Sequence, residues 1–375
     1  MASVNKVLIV GGGIGGLCLA IALRDRDILV DVVEIKKVWT VYGVGIIQQA
    51  NVVRAMAQLG IVDRYLSAAF SFHFVGIYRP SGELIAKLPG ERLAGEQYPP
   101  LLGVSRLSLH EVLTSLATGK GAKVRLGLTV ESIDPHSDPV DVRFTDGSSS
   151  RYDLVVGADG LFSKVRTMVF PDAPKPRFTG QSVWRHNFPR RPEIDHLAAF
   201  NGRHSSAGLV PLSNDLMYMY VTSVEPGNPW MDPSQLHTLM KQRMEGFGGL
   251  IGELKSQIND PAKVVYRPME VVLVSPPWYD GRVVLIGDAA HATTPHLGQG
   301  AGMAIEDAVV LAEELTSVGS VERQLERFMK RRYERCKFIV ESSELIGKYQ
   351  MGEPGTEVDE KSMVEEMQRV TAQPI

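Results

Sequence analysis

The segment KVLIVGGGIGGLCLAIALRD, which begins at Lys6, constrains the fold more than any other part of the chain. Its continuous apolar run at 7–10 is typical of a strand buried on both faces of a parallel sheet. Gly11, Gly13 and Gly16 then follow with the spacing GxGxxG, which permits a tight turn, close approach of the backbone to a pyrophosphate, and close helix–strand packing. A strand, this loop and a helix in succession predict a dinucleotide site.

The second strand supports this prediction. The segment LVDVVE ends in Glu34, 18 residues after Gly16. An acidic residue near this spacing commonly binds ribose hydroxyls. These residues do not distinguish NAD from FAD, and a tight turn without a ligand is the alternative.

Two later segments repeat the pattern of a buried strand that ends in a glycine-bearing loop. They are YDLVVGADGLFSKVR at 152–166 and GRVVLIGDAAH at 281–291. Ligands in open α/β sheets bind at the carboxyl ends of strands. One extended ligand served by all three loops explains the pattern better than three separate sites, and FAD is longer than NAD.

Composition limits the class of protein. With 375 residues, 44% of them hydrophobic, the chain predicts one large domain or two intimately joined ones. A net charge of −3 gives no electrostatic signature of nucleic-acid or membrane binding. Two distant cysteines, Cys18 and Cys336, favour neither a disulfide framework nor a metal site. The absence of a signal-peptide pattern or an apolar run of about 18 residues predicts a cytoplasmic protein without a membrane span.

Three motifs carry a family resemblance: GGGIGG, then GADGLFSKVR, then GDAAHATTPHLGQGAG. In this order they resemble the single-component FAD-dependent aromatic hydroxylases, the class A flavoprotein monooxygenases, which include 6-hydroxynicotinate, salicylate and 4-hydroxybenzoate hydroxylases. The resemblance covers nearly the whole chain. It implies an α/β fold, with a Rossmann-like FAD-binding domain interleaved with an α+β substrate domain on a mixed or antiparallel sheet, plus C-terminal helices. The expected boundaries are 1–72, 100–178 and 265–320 for the FAD-binding domain, 73–99 and 179–264 for the substrate domain, and 321–375 for the helical segment.

The resemblance also implies an activity. NADH or NADPH would reduce FAD, and O₂ would then give a flavin C4a-hydroperoxide that hydroxylates a phenol, hydroxybenzoate or hydroxypyridine. An FAD-dependent oxidoreductase of the same fold without oxygen transfer is the alternative, and a non-catalytic flavin-binding protein is a third. The implied partner is a small aromatic substrate, without nucleic acid, for a monomer or homodimer.

The resemblance assigns residues to FAD. In the family, the glycine loop holds the pyrophosphate, Glu34 the adenosine ribose, and Asp288 the ribityl chain. An arginine that begins a helix, Arg106, suits a diphosphate on physical grounds as well. The backbone N–H groups of the helix that begins near 300 would face the flavin. Many relatives carry asparagine where this chain has Gly302. The implied cofactor residues are Gly11, Gly13, Ile14, Gly15, Gly16, Glu34, Gly45, Arg106, Val130, Asp159, Asp288, Gly298, Gly300, Ala301 and Gly302.

Catalysis and substrate binding are assigned to fewer positions. Pro295 resembles the family proline beside the reactive oxygen. The pKa of an ordinary histidine suits proton exchange, so His296 is the candidate that binds or deprotonates the substrate, whereas His291 is expected to be structural. Some 6-hydroxynicotinate hydroxylases carry histidine at the position of Ile47, so this substrate does not transfer directly, and an apolar wall is expected. The candidate substrate contacts are Ile47, Arg185, His186, Tyr218 and Tyr220, and the strand pattern does not decide whether the tyrosine face meets the substrate.

Overall fold

The computed structural model describes residues 4–39, 44–202 and 204–375. The glycine-rich segment begins with the strand at the centre of a six-stranded sheet, which is called here the parallel sheet. In spatial order its strands, numbered along the chain, are β18 (Tyr279–Asp280), β19 (Val283–Leu285), β12 (Leu154–Gly157), β1 (Lys6–Val10), β2 (Leu29–Glu34) and β8 (Lys123–Leu126). Neighbours are parallel except β18 and β19. The carboxyl ends of β1, β12 and β19 therefore meet along one edge.

A seven-stranded sheet forms the second layer of the molecule. In spatial order its strands are β17 (Val265–Val271), β13 (Arg177–Pro189), β16 (Leu216–Val224), β15 (Ser206–Pro211), β14 (Leu197–Asn201), β5 (Phe74–Tyr78) and β6 (Leu84–Pro89). Only β14 and β5 pair in parallel among these described strands. This sheet is thus mixed and mainly antiparallel, as predicted.

Two three-stranded sheets and eleven helices complete the described part of the chain. The small sheets are β3 (Gly45–Gln48) with β7 (Leu101–Ser105) and β4 (Ala69–Phe72), and β11 (Ser149–Tyr152) with β10 (Val140–Phe144) and β9 (Val130–Asp134). The helices are α1 (Ile14–Arg24), α2 (Ala50–Gln58), α3 (Val62–Leu66), α4 (Arg106–Gly119), α5 (Lys164–Val169), α6 (Leu236–Arg243), α7 (Gly249–Lys255), α8 (Asp288–His291), α9 (Gly300–Leu315), α10 (Val321–Gln350) and α11 (Glu360–Ala372).

Each layer has its own apolar core. The larger core joins the parallel sheet to α1, α2, α9 and α10. The second core lies between the seven-stranded sheet and helices α6 and α7, and Met217 and Met219 of β16 point into it. Side chains alternate between the faces of a strand, so Tyr218 and Tyr220 lie on the opposite face of the sheet.

The observed architecture confirms the predicted α/β fold with C-terminal helices. The seven-stranded sheet, however, extends beyond the predicted boundary at 264, because β17 pairs with β13 through Val183 and Arg267. Cys18 and Cys336 are both buried, and neither forms a disulfide. Within the described ranges, each helix is too short or too polar to cross a membrane.

Candidate active site

A cleft of about 770 Å³ lies where the parallel sheet meets the seven-stranded sheet. Its walls are the loops after β1, β12 and β19, the starts of α4 and α9, and parts of β13, β16 and β17. The three glycine-bearing loops that the sequence singled out therefore serve one site. Most of the residues assigned to FAD line it, whereas Gly16, Val130 and Gly302 do not.

The glycine loop leaves its backbone open to the cleft at one point. Gly11 has a φ of +112°, and a Cβ on Gly16 would lie 2.1 Å from the Gly11 carbonyl oxygen, so both positions require glycine. A Cβ on Gly13, by contrast, would meet nothing within 4 Å. Helix α1 begins here without a side-chain cap. Its first N–H groups therefore face open space that suits an anionic diphosphate.

Glu34 lies at the same end of the cleft. Its carboxylate accepts hydrogen bonds from the N–H groups of Gly12 and Lys36, both at 3.0 Å. The His110 ring is 2.9 Å from the Gly12 carbonyl oxygen and packs edge-on against Trp39 at 4.6 Å. Trp39 and His110 both line the cleft, and sequence reasoning missed them.

One signal could have located His110. It follows Arg106 by four residues, so the two side chains share one face of α4. The side chain of Val130 is buried in the core with 1% exposure, and its neighbour Thr129 lines the cleft. The contact that the resemblance implies, between the Val130 backbone and the adenine, stays a prediction.

Asp159 lines the cleft, but its carboxylate is used within the chain. It accepts hydrogen bonds from the Ser163 hydroxyl and from the N–H groups of Lys164 and Val165, and so caps α5. Arg166, on the same helix, donates to the carbonyl oxygens of Leu161 at 2.7 Å and Ala289 at 2.8 Å. Arg166 thereby ties the loop after β12 to the loop after β19.

Arg106 and Asp288 both line the cleft, and their charges act on each other. Enclosure by the protein raises the pKa of Asp288, and the positive charges of His291 and Arg106 oppose this shift. Burial lowers the pKa of Arg106, and Asp288 opposes that shift. The site therefore combines a guanidinium and a carboxylate, which can bind a phosphate and a sugar-type hydroxyl respectively.

Helix α9 begins at the cleft. Gly298 has a φ of +65°, and Gly300 and Ala301 line the wall. The Gln299 side chain is held by Gln49 at 2.7 Å and by Asn51. Gly302 faces α2, where a Cβ would lie 2.8 Å from Val52. Close packing of α2 on α9 therefore explains glycine at this position, while the helix N-terminus still presents N–H groups to the cleft.

His291 lies outside the cleft in a buried ionic network. Its Nε2 is 2.6 Å from Asp307, which also accepts from the N–H of Gly287 at 2.9 Å. Arg332 donates to Asp307 at 2.8 Å and to Glu306 at 2.7 Å. His291 thus joins the loop after β19 to α9 and α10, the structural role that the sequence predicted for it.

Pro295 lines the cleft, whereas His296 does not. The His296 Nδ1 lies 2.8 Å from the Thr294 hydroxyl, and Thr294 does line the cleft. Burial lowers the pKa of His296 to about 4, and an interaction with Gln350 opposes the shift. The imidazole is therefore neutral near pH 7, and it contacts the cleft lining through Thr294.

The tyrosine face of the seven-stranded sheet is the one that meets the cleft. Tyr218 and Arg185 line it together with Ile47. Tyr220 does not line the cleft. Its ring lies over Gly208, where a Cβ would be 2.2 Å from the ring. His186 points into the opposite face because side chains alternate along β13, and its ring packs on Phe188 at 4.5 Å.

The lining of the cleft fits FAD in its chemistry. The open backbone at Gly13 and the guanidinium of Arg106 suit the diphosphate, Glu34 and Asp288 suit sugar and ribityl hydroxyls, and Trp39 offers a flat surface. The N-terminus of α9 offers N–H donors and a positive dipole end for an electron-rich ring edge.

Comparison with known proteins gives consistent matches. The family model described as FAD binding domain matches residues 5–343. The putative FAD-dependent monooxygenase YetM of Bacillus subtilis is 30% identical over 356 residues, 94% of this chain and 96% of that one. The aurachin C monooxygenase/isomerase of Stigmatella aurantiaca is 33% identical over 91% of this chain and 88% of its own. A crystal structure of Klebsiella pneumoniae HpxO complexed with FAD and uric acid superposes with a TM-score of 0.84 at 26% identity, over 98% of this chain and 92% of that one.

Proposed function

The chain belongs to the FAD-binding-domain family, and we propose on this premise that it is an FAD-dependent monooxygenase that uses NAD(P)H and O₂ to hydroxylate a small aromatic ring. The observation that carries the proposal is one cleft with two kinds of lining. Residues suited to FAD, such as Gly13 and Ala301, line the same cleft as the aromatic ring of Tyr218 and the cationic side chain of Arg185. Such a cleft can hold a cofactor and a flat substrate side by side.

The chain's own residues position the cofactor. Bound FAD would accept electrons from NAD(P)H and supply the oxygen chemistry. The N-terminus of α1 and Arg106 would hold its diphosphate, Glu34 would hold the adenosine ribose, and Asp288 would hold the ribityl hydroxyls. The N–H groups at the start of α9 would stabilise negative charge on the bound flavin.

The substrate lies between the loop at 292–295 and the tyrosine face of the seven-stranded sheet. Ile47 and Val183 supply apolar walls, and Pro295 has no N–H that could bind water there. Tyr218 is buried, which raises its pKa, so its hydroxyl stays protonated and can donate a hydrogen bond to the substrate. Tyr220 packs beside Tyr218, with the two ring centroids 6.3 Å apart.

Thr294, rather than His296, is the group of this loop that can contact the substrate, because Thr294 lines the cleft. Burial lowers the pKa of His296 to about 4, so its imidazole is neutral near pH 7 and serves as a hydrogen-bond partner rather than as a base. Nδ1 of His296 can accept the hydrogen of the Thr294 hydroxyl, which leaves the Thr294 oxygen free to accept a hydrogen bond from the substrate hydroxyl. His296 is thus a positioning residue for Thr294.

Activity on a panel of small aromatic compounds tests the proposed function. Purified holoenzyme is mixed with NADH or NADPH, O₂ and phenols, hydroxybenzoates, hydroxypyridines or fused heteroaromatics. We expect substrate-stimulated NAD(P)H oxidation and a product heavier by one oxygen atom, labelled when ¹⁸O₂ is used. NAD(P)H oxidation with reduction of the organic compound and no oxygen incorporation would support the oxidoreductase without oxygen transfer instead. FAD binding without any substrate-stimulated oxidation would contradict both.

A further inference from the structure

The side chain of Gln181 is buried without a hydrogen bond. Gln181 lies on β13, two residues before the cleft-lining Val183, and is 0% exposed. Among the described residues, none forms a hydrogen bond with either polar atom of its carboxamide. Buried amides are almost always hydrogen-bonded, because leaving such a group unpaired costs free energy. Gln181 therefore indicates a polar interaction that the strand pairing of the sheet does not provide.

Gly347 of α10 brings this carboxamide close to His296. A Cβ on Gly347 would lie 3.0 Å from Oε1 of Gln181. It would also lie 3.0 Å from Cε1 and 3.5 Å from Nε2 of His296. The oxygen of the carboxamide and the Nε2 side of the imidazole therefore meet the same point on the surface of α10, where glycine leaves room for both.

Gln350, three residues after Gly347 on α10, also acts on His296. Nδ1 of His296 faces Thr294, so Nε2 is the nitrogen available to Gln350. The two side chains are not in full hydrogen-bond geometry at Nε2, yet Gln350 raises the pKa of His296 against the effect of burial. A neutral neighbour that raises the pKa of a histidine accepts a hydrogen bond from it. In the part of the chain that the structure describes, no charged group contributes to this pKa.

The tautomer of His296 decides what Thr294 offers to a substrate. If Nε2 carries the hydrogen, Nδ1 accepts from the Thr294 hydroxyl at 2.8 Å, and the Thr294 oxygen can accept a hydrogen bond in turn. If Nδ1 carries the hydrogen, it donates to the Thr294 oxygen, and Thr294 becomes a donor towards the cleft. In a neutral imidazole, the hydrogen bond made by one nitrogen fixes the state of the other.

We propose that Gln181 is a positioning residue: its carboxamide oxygen, with that of Gln350, accepts the Nε2 hydrogen of His296 and so keeps Thr294 an acceptor towards the substrate. The inference rests on the proposed function, since it takes Thr294 to contact the substrate. The site then favours a ring compound whose group beside Thr294 can donate a hydrogen, such as a hydroxyl or a ring N–H.

Histidine ¹⁵N spectra of the FAD-loaded enzyme at pH 7 test this role without turnover. The signals of His296 are those that disappear in His296→Gln, and one-bond coupling shows which nitrogen carries the hydrogen. We expect the Nε2–H tautomer in the parent enzyme. Gln181→Met keeps the length of the side chain but removes its acceptor, so the ratio of Nε2–H to Nδ1–H should fall about three- to tenfold.

Gln181→Glu is the second variant, because it keeps the size and polarity of the side chain. A glutamate there either pairs with a cationic imidazole or donates its own proton to Nε2, and in both cases Nδ1 carries a hydrogen. The matched controls are Gln257→Met and Gln257→Glu, at an exposed position after α7. They should leave the spectrum of His296 as it is in the parent.

Turnover then links the tautomer to the substrate. Both Gln181 variants should keep FAD and raise the KM for the compound that the parent hydroxylates fastest, by about three- to tenfold, because Thr294 no longer accepts its hydrogen. The Gln257 controls should have the KM of the parent.

Three results would overturn the role of Gln181. They are a parent enzyme with hydrogen on Nδ1, folded Gln181 variants with the tautomer ratio of the parent, and a shifted tautomer with an unchanged KM. Each of these leaves the proposed function standing if the parent enzyme oxygenates a ring compound. A parent enzyme that holds FAD but oxygenates none of the compounds would contradict the proposed function instead, and with it the step from Thr294 to the substrate.

Discussion

The cofactor end of the cleft contains three carboxylates that differ in how far their oxygens are already used within the chain. Asp288 lines the cleft; burial raises its pKa, and the positive charges of His291 and Arg106 oppose this shift. Glu34 is fixed by two backbone N–H donors. By contrast, the carboxylate of Asp159 accepts hydrogen bonds from the first N–H groups of α5. Among the acidic residues assigned to FAD, Asp288 is therefore the one with hydrogen-bonding capacity most open to the cofactor.

Replacing Asp288 should release FAD. Asp288→Ala removes the carboxyl group that would bind the ribityl hydroxyls, so we expect FAD to bind about ten- to a hundredfold more weakly. The ratio of flavin to protein absorbance in the purified protein measures this loss. Asp172→Ala, at an exposed position outside the cleft, is the control. Full FAD occupancy in Asp288→Ala would refute the ribityl assignment.

His296 should make the protein sensitive to acid. Its pKa is about 4 in the folded protein, below the ordinary value of 6.5, so the folded state resists protonation. Above pH 6.5, His296 does not make the free energy of unfolding depend on pH. As the pH falls from 6.5 towards 4, the free energy of unfolding decreases, because the unfolded chain takes up the proton first. From these two values the loss is roughly 2 kcal/mol by pH 5.

Denaturation of His296→Gln at pH 7 and pH 5 checks this expectation. The variant should lose less stability than the parent between these two pH values, by roughly 2 kcal/mol. His73→Gln, at an exposed position, should behave like the parent. An unchanged difference between pH 7 and pH 5 would show that His296 is not held neutral.

Helix α9 connects the cofactor end of the cleft to the rest of the protein. Its N-terminus faces the cleft, its first turn packs on α2, and its Glu306 and Asp307 pair with Arg332 of α10. The position of its N–H donors therefore depends on packing and charge pairing outside the cleft.

Introducing the family asparagine at Gly302 should disturb this helix. A side chain there would overlap Val52, since a Cβ lies 2.8 Å from Val52 Cγ2, and such overpacking costs about 1–3 kcal/mol. We expect Gly302→Asn to lower the melting temperature and weaken FAD binding. The double variant Gly302→Asn/Val52→Ala should recover part of both losses. Full stability of the single variant would show that α2 yields without cost.

Breaking the ionic network between α9 and α10 should be more costly. Arg332→Met leaves two buried carboxylates, Glu306 and Asp307, without their main cation, which typically costs about 3–5 kcal/mol. Urea denaturation measures the change, and Arg323→Met, at an exposed position on the same helix, is the control. Equal stability of the two variants would contradict a stabilising network.

The glycine-bearing loops of this site could be predicted from the sequence more readily than the sheet wall that faces them. Gly11, Gly13 and Gly16 carry a spacing with a direct physical meaning, so the strand, turn and helix around them were predictable. Tyr218 and Met219 alternate on β16, but alternation does not tell which face meets a ligand, and only the packing of α6 and α7 decides it. The pairing of β17 with β13 likewise depends on residues about 80 positions apart in the chain.

The whole molecule places its ligand cleft between two sheets with separate cores. Residues of the parallel sheet, such as Glu34, and of the seven-stranded sheet, such as Arg185, line the same cleft. The chain also crosses between the layers several times, because β5 and β6 precede β8 and β12 along the chain. Neither layer is a continuous segment, so loss of one layer should affect the other.

FAD should therefore stabilise the whole chain and not one layer alone. A ligand that binds only the folded state adds about 2.7 kcal/mol of stability at a free concentration of 100 times its Kd. We expect a single calorimetric transition that moves to higher temperature as FAD is added to apoprotein. Riboflavin, which lacks the diphosphate for Gly13 and Arg106, should raise it less at equal concentration. Two transitions, of which only one responds to FAD, would show instead that the seven-stranded sheet unfolds independently of the cofactor site.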